Sequence, residues 1–139
     1  MADSTLSELL LVYGTLKRGH ANHHQLAGAI FVGEARLEQL DLHDLGPFPM
    51  AVPGAGHVIG ELFRVSLDSF PALDRFEGVP RLYRRWRWRS SDGPWLWVYL
   101  GSARQVRHAR RLVDGLWGAA CPPPGRQDAF CTAPDLQDR

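Results

Sequence analysis

Apolar and polar residues alternate over much of the chain, and the places where the alternation breaks mark the elements it predicts. Residues 9–13, Leu9-Leu10-Leu11-Val12-Tyr13, form an apolar run that stops at Gly14. That is the pattern of a strand covered on both faces that opens into a loop. A second strand is predicted over residues 30–40, with Ile30, Val32, Ala35 and Leu37 buried. Residues 46–54 contain Pro47, Pro49 and Pro53. A proline lacks the N–H that a ladder needs, so this stretch reads as an edge segment or a loop. Over residues 57–65 the alternation resumes, with Val58, Gly60, Leu62 and Arg64 on one face and Ile59, Glu61, Phe63 and Val65 on the other.

A short helix follows: Asp68 or Ser69 can cap it, Pro71 fits its first turn and Gly78 stops it. Residues 83–89 and 95–101 read as strands joined by the turn Ser90-Ser91-Asp92-Gly93-Pro94. In this hairpin Trp86 and Trp88 are expected to face the core, and Arg85, Arg87 and Arg89 to face water. From 103 to 117, Val106, Ala109, Val113, Leu116 and Trp117 recur at helical spacing, off the side that carries Arg104, Arg107 and Arg111, and predict a second helix. Strands dominate without a regular βαβ alternation. The expected fold is therefore α+β: one domain over residues 1–117, a small curved or barrel-like mixed sheet with peripheral helices. Residues 118–139, with Pro122-Pro123-Pro124, read as a loosely attached tail.

Composition narrows the class. At 139 residues and 45% hydrophobic content, the chain has the length of one domain and can bury a core without disulfides. Charged residues are 22% and the net charge is +1, which gives no warrant for a nucleic-acid partner. No apolar run approaches the ~18 residues of a membrane span, and residues 1–8 lack the basic segment of a signal peptide. A cytoplasmic location without a membrane partner is expected. Residues 1–70 hold 4 basic against 8 acidic groups, residues 71–139 hold 12 against 7, and Lys17 is the sole lysine beside 15 arginines. Amid so much Gly, Ala and Pro, that excess fits genome composition as well as a functional need. Cys121 and Cys131 have no paired ligands nearby and read as incidental.

The first candidate for chemistry is Glu77. With Phe70 at zero and about 100° per residue, Leu73 falls near −60° and Glu77 near −20°, inside the apolar stripe of the short helix. A carboxyl held there is partly desolvated, which raises its pKa toward the range a general acid/base needs. The same position also admits a helix-end glutamate that turns out to solvent beside Gly78. Asp74, at the flank of the stripe, is expected to pair with an arginine. The second candidate is the loop Val12-Tyr13-Gly14-Thr15-Leu16-Lys17-Arg18-Gly19, whose successive N–H groups can converge on an anion. It has neither a Walker pattern nor G-x-G-x-x-G spacing, and an ordinary glycine turn accounts for it equally well.

Taken together, this loop, Asn22-His23, Pro47-Phe48-Pro49, Pro53-Gly54, Gly60-Glu61-Leu62-Phe63, Leu73-Asp74-Arg75-Phe76-Glu77-Gly78 and Tyr83-Arg84-Arg85 resemble the gamma-glutamylcyclotransferase-like superfamily. The likeness is to the branch of gamma-glutamylamine cyclotransferase and the AIG2-like proteins, and it covers roughly residues 9–101 in order. It implies an enzyme that releases 5-oxoproline from a gamma-glutamyl amine or amide, with no cofactor and no metal. On that resemblance Glu77 is the catalytic acid/base, and Tyr13, Gly14, Thr15 and Leu16 bind the glutamyl moiety, largely through their backbone. Tyr83 is the next candidate for the site wall, with a core tyrosine as the alternative. The stretch after Gly101 has no counterpart in the resemblance.

Two other features have simpler explanations. Arg84-Arg85-Trp86-Arg87-Trp88-Arg89 invites a nucleic-acid reading, but strand alternation explains it without one. His20, His23 and His24 lack the carboxylate or cysteine help a metal site needs and are expected to be structural. The expected partner is a small-molecule gamma-glutamyl substrate, bound by a monomer or weak homodimer. A non-catalytic binding module on the same fold is the competing function class.

Overall fold

A computed structural model describes residues 6–90 and 92–118. Its apolar run, β1 (Ser7–Val12), lies near the middle of a six-stranded sheet of order β4-β5-β1-β3-β2-β6. Strand β1 pairs antiparallel with β3 (Pro49–Ser66) and parallel with β5 (Leu96–Leu100), which makes the sheet mixed. Because successive side chains alternate, β1 feeds two cores. Leu10 and Val12 pack with Phe63, Val65 and Tyr99 on one face, while Leu11 and Tyr13 pack with Val58 and Val98 on the other.

Strand β2 (Ile30–Asp44) follows β3 for nearly its whole length, with a bulge between Glu38 and Leu40 where Gln39 takes a left-handed φ of 66°. The hairpin of β4 (Arg84–Trp88) and β5 curls round to meet that bulge. The Trp88 indole donates to the Glu38 carbonyl at 3.0 Å, and the Glu38 amide donates to Ser90 Oγ at 3.0 Å. The sheet is therefore a curled half-barrel, the curved mixed sheet expected from the sequence. Among the described residues it carries one short α-helix, α1 (Phe70–Phe76), which turns Phe70 and Leu73 inward.

Four expectations are corrected. Of the proline-rich stretch 46–54, residues 46–48 are a loop as expected, but 49–54 are not, since Pro49 opens β3, a central strand, and Pro53 faces Leu40 just past the bulge. Those are the two places where a missing N–H does least harm to a ladder. Ile30 and Val32 are 63% and 51% exposed rather than buried. Ile30 lies opposite exposed Arg64, at the end of the sheet where that face runs out to solvent. The predicted helix over 103–117 is a run of turns ending in β6 (Arg110–Arg111), which pairs with His43 and Asp44 of β2. Its amides and carbonyls serve the sheet instead: Leu112 N–H donates to Leu42 at 2.7 Å, and Gly115 accepts from Ile59 at 2.8 Å. Val113, on the predicted apolar stripe, is 72% exposed. On β4, Trp88 is partly buried but Trp86 is exposed, and Arg85 is the half-buried member. An edge strand leaves one face thinly covered, and Arg85 finds aromatic neighbours there.

Ser69, one of the two expected caps, is the N-cap of α1, but its side chain makes no capping hydrogen bond. Ser66 Oγ accepts from the Asp68 amide, and a 3-10 turn at Leu67–Ser69 leads into α1. Among the described residues no helix is long and apolar enough to cross a membrane. Cys121, Cys131 and the tail beyond residue 118 lie outside the described residues.

Candidate active site

Strand β1 delivers its loop to the mouth of a cavity of about 350 Å³, which the end of α1 closes from the other side. Gly14 is required by close approach: a Cβ there would sit 2.7 Å from Cδ of buried Pro49. The loop's carbonyls are taken up by the segment that follows. Lys17 N–H donates to Gly14 O at 3.1 Å, Asn22 N–H to Thr15 O at 2.9 Å, and the His23 ring bonds Leu16 O at 2.9 Å. The Asn22 amide also donates to Thr15 Oγ1 at 3.0 Å. By contrast, the N–H groups of Thr15 and Leu16, both on the cavity lining, have no acceptor among the described residues. Buried Lys17 anchors the loop from behind through the Trp117 carbonyl at 3.0 Å, and burial lowers its pKa.

Three buried tyrosines line the cavity. Tyr13 hydroxyl donates to Tyr99 O at 2.6 Å and accepts from Ala51 N–H at 3.0 Å, so it locks β1 to β3 and β5. Tyr83 hydroxyl donates to Pro49 O at 2.5 Å. Tyr99 hydroxyl donates to Asp74 Oδ1 at 2.7 Å. Burial is the first cause that holds all three hydroxyls protonated far above their ordinary range.

Asp74 does pair with an arginine. Arg85 donates to it through Nε at 2.8 Å and Nη2 at 3.1 Å, and its guanidinium lies 4.4 Å from the ring centres of both Phe70 and Trp97. Burial opposes ionisation of Asp74, yet the Arg85 and Tyr99 hydrogen bonds hold its carboxyl below the usual range.

Glu77 caps the C-terminus of α1, its N–H bonded to Leu73 O at 2.9 Å, and Gly78 at φ 72° ends the helix immediately after it. Its carboxyl lines the cavity, and no hydrogen bond or ion pair among the described residues engages it. Burial first, and the charge of Asp74 second, push its pKa from 4.5 to about 7. The alternative of a helix-end glutamate turned to solvent is thus not what the fold adopts. Glu77, Tyr13, Gly14, Thr15, Leu16 and Tyr83, drawn from two distant sequence motifs, all line this one cavity.

Tyr99 also lines it, and sequence reading missed that residue. The available signal was a tyrosine on the inward face of an apolar strand, whose hydroxyl must find a polar partner. The histidines do not assemble a site: no group of three or more possible metal ligands occurs among the described residues, and His23 and His24 begin a 3-10 helix at His23–Leu26.

A mixed, curled half-barrel with a desolvated carboxyl facing a strand-end loop defines a class of small enzyme-like folds. The chain's sequence says which one. Residues 10–119 match the family model described as "Gamma-glutamyl cyclotransferase, AIG2-like", and the chain belongs to that family. It is 34% identical over 115 residues to a putative gamma-glutamylcyclotransferase of Vibrio cholerae, covering 81% of this chain and 96% of that one. It is 38% identical over 87 residues to gamma-glutamylaminecyclotransferase A of Danio rerio, covering 55% and 54%. The solution structure of protein ytfP from Escherichia coli superposes with a TM-score of 0.62 at 31% identity, covering 78% of this chain and 95% of that one.

Proposed function

We propose that this protein is a gamma-glutamyl cyclotransferase that releases 5-oxoproline from a gamma-glutamyl amine or amide, with Glu77 as its acid/base. The observation that carries this reading is the Glu77 carboxyl: half-buried and desolvated, without a hydrogen-bond or ion-pair partner among the described residues, and poised near neutrality on the same cavity as unused loop amides. The substrate's alpha-ammonium passes a proton to Glu77, and the freed nitrogen attacks the gamma-carbonyl carbon. A five-membered ring closes as the carbonyl oxygen gains charge, which the Thr15 and Leu16 N–H groups are suited to stabilise. The Glu77 proton then passes to the leaving nitrogen as the gamma-C–N bond breaks and the carbonyl reforms; the ring nitrogen keeps one proton and gives the other, through Glu77, to the departing amine, which leaves as its ammonium and restores the Glu77 carboxylate.

Gly14, Tyr13 and Tyr83 hold the glutamyl portion in place. Tyr83, whose proton is committed to Pro49, retains lone pairs that can accept from the substrate's ammonium. None of these steps calls for a metal or cofactor. The reading keeps the protein cytoplasmic, without nucleic-acid or membrane partners, as a monomer or weak homodimer.

The test is 5-oxoproline release from a panel of gamma-glutamyl compounds. Glu77→Gln is nearly isosteric and is expected to keep the fold while turnover falls at least ~1,000-fold. Activity within about tenfold of the parent would remove Glu77 from the mechanism.

A further inference from the structure

Arg85 does not line the cavity, and no step of the proposed reaction uses it. The fold nevertheless fixes it closely. The register of β4 and β5 sets Arg85 opposite Tyr99, and α1 brings Asp74 against both. Asp74 Oδ1 accepts from Arg85 Nε at 2.8 Å and from the Tyr99 hydroxyl at 2.7 Å, while Oδ2 accepts from Arg85 Nη2 at 3.1 Å. The side chains of this ion pair are only 22% and 26% exposed, so water competes less for them than on an open surface. Phe70 and Trp97 pack against the guanidinium and restrict it further.

The pair decides which way a proton points on the cavity wall. Burial opposes the Asp74 charge, and the Arg85 and Tyr99 hydrogen bonds hold it. An ionised carboxylate only accepts, so the Tyr99 hydroxyl gives its one proton to Asp74. Any further bond to that oxygen, on a residue that lines the cavity, is one it accepts. Tyr83 is committed in the same sense, its proton given to the Pro49 carbonyl. Without Arg85, Asp74 would take up a proton more readily, and a neutral acid can donate to Tyr99 and release the phenol proton to turn elsewhere.

A glutamyl head group presents an ammonium, which donates, and a carboxylate, which accepts. Given the cyclotransferase reading, a tyrosine oxygen that only accepts attracts the first and rejects the second. Glu77 lines the same cavity and its charge is felt at the Tyr99 hydroxyl, so an ammonium bound to Tyr99 lies within the field of the group that takes its proton. We propose that Asp74 and Arg85 are positioning residues for substrate binding: they hold the Tyr99 hydroxyl as an acceptor for the ammonium of a gamma-glutamyl substrate.

The experiment measures KM for gamma-glutamylethylamide by 5-oxoproline release, and Ki for its deamino counterpart, N-ethylglutaramate, which keeps the carboxylate and the amide but has no ammonium. Tyr99→Phe and Asp74→Asn, both nearly isosteric, should raise KM at least ~tenfold while Ki stays within about twofold of the parent. Arg85→Met should act in the same direction, and Arg85→Lys, which keeps a cation beside Asp74, should hold KM within about threefold of the parent. A purely structural role would weaken both compounds alike. KM unmoved in Tyr99→Phe, whether or not the ion-pair variants fold, or KM and Ki raised together in Asp74→Asn, overturns the proposal, while 5-oxoproline release by the parent keeps the cyclotransferase reading. No 5-oxoproline from the parent with any gamma-glutamyl compound overturns the two together.

Discussion

Glu77 is a side chain whose surroundings disfavour its own charge, and this has a measurable consequence beyond catalysis. Its carboxyl binds a proton near pH 7 in the folded chain, against 4.5 for an unperturbed glutamate. Between those two values the folded state holds more protons than the unfolded state, so stability falls as pH rises through the window. Above pH 7 the full penalty applies; below pH 4.5 it vanishes. Glu77→Gln removes it, so the variant should be more stable than the parent by an amount of order 3 kcal/mol at pH 8, and the gap should close at pH 4. Denaturant unfolding at the two pH values checks this, and a gap that stays constant or widens on acidification contradicts the assigned environment. The helical wheel located Glu77 on the inward face. It placed Asp74 at the flank of that stripe, but that the Asp74 charge adds to the shift depends on where Arg85 and Tyr99 arrive from distant strands.

The strand-end loop of β1 works as an element because it has no room to spare. Gly14→Ala places a methyl group against the ring of Pro49, which is itself fully buried, so the loop or β3 must yield. Stability is expected to fall by about 1–3 kcal/mol, with kcat/KM down at least tenfold as the Thr15 and Leu16 amides shift. Thermal melts and the 5-oxoproline assay read the two effects separately. Local signals served well for such elements: the apolar run of β1 and the stop at Gly78 were both visible in sequence. They failed over 103–117, where helical spacing was real but the backbone bonded to β2 and β3 instead. A short amphipathic period competes poorly with sheet edges that need partners.

At the level of the whole molecule, closure of the half-barrel depends on the hairpin reaching the β2 bulge. Trp88→Phe deletes the N–H donated to the Glu38 carbonyl while keeping an aromatic ring in place. The expected cost is about 1–2 kcal/mol. Trp88 packs on the core face that holds Leu11 and Val98, apart from Glu77, so kcat/KM should stay within about twofold. A large loss of activity without loss of stability would mean that curl and cavity are coupled.

What the residues determine by themselves is local and periodic: which strands are apolar on both faces, where a helix stops, and that one carboxylate shares a stripe with Phe70 and Leu73. Two motifs separated by some sixty positions were enough to point to the family. Only the tertiary structure decided that prolines sit inside a central strand, that Ile30 and Val32 face water, and that Tyr99 joins the cavity. Those outcomes follow from strand order and register, which are set by pairings between distant segments. No window of sequence contains both partners of such a pair.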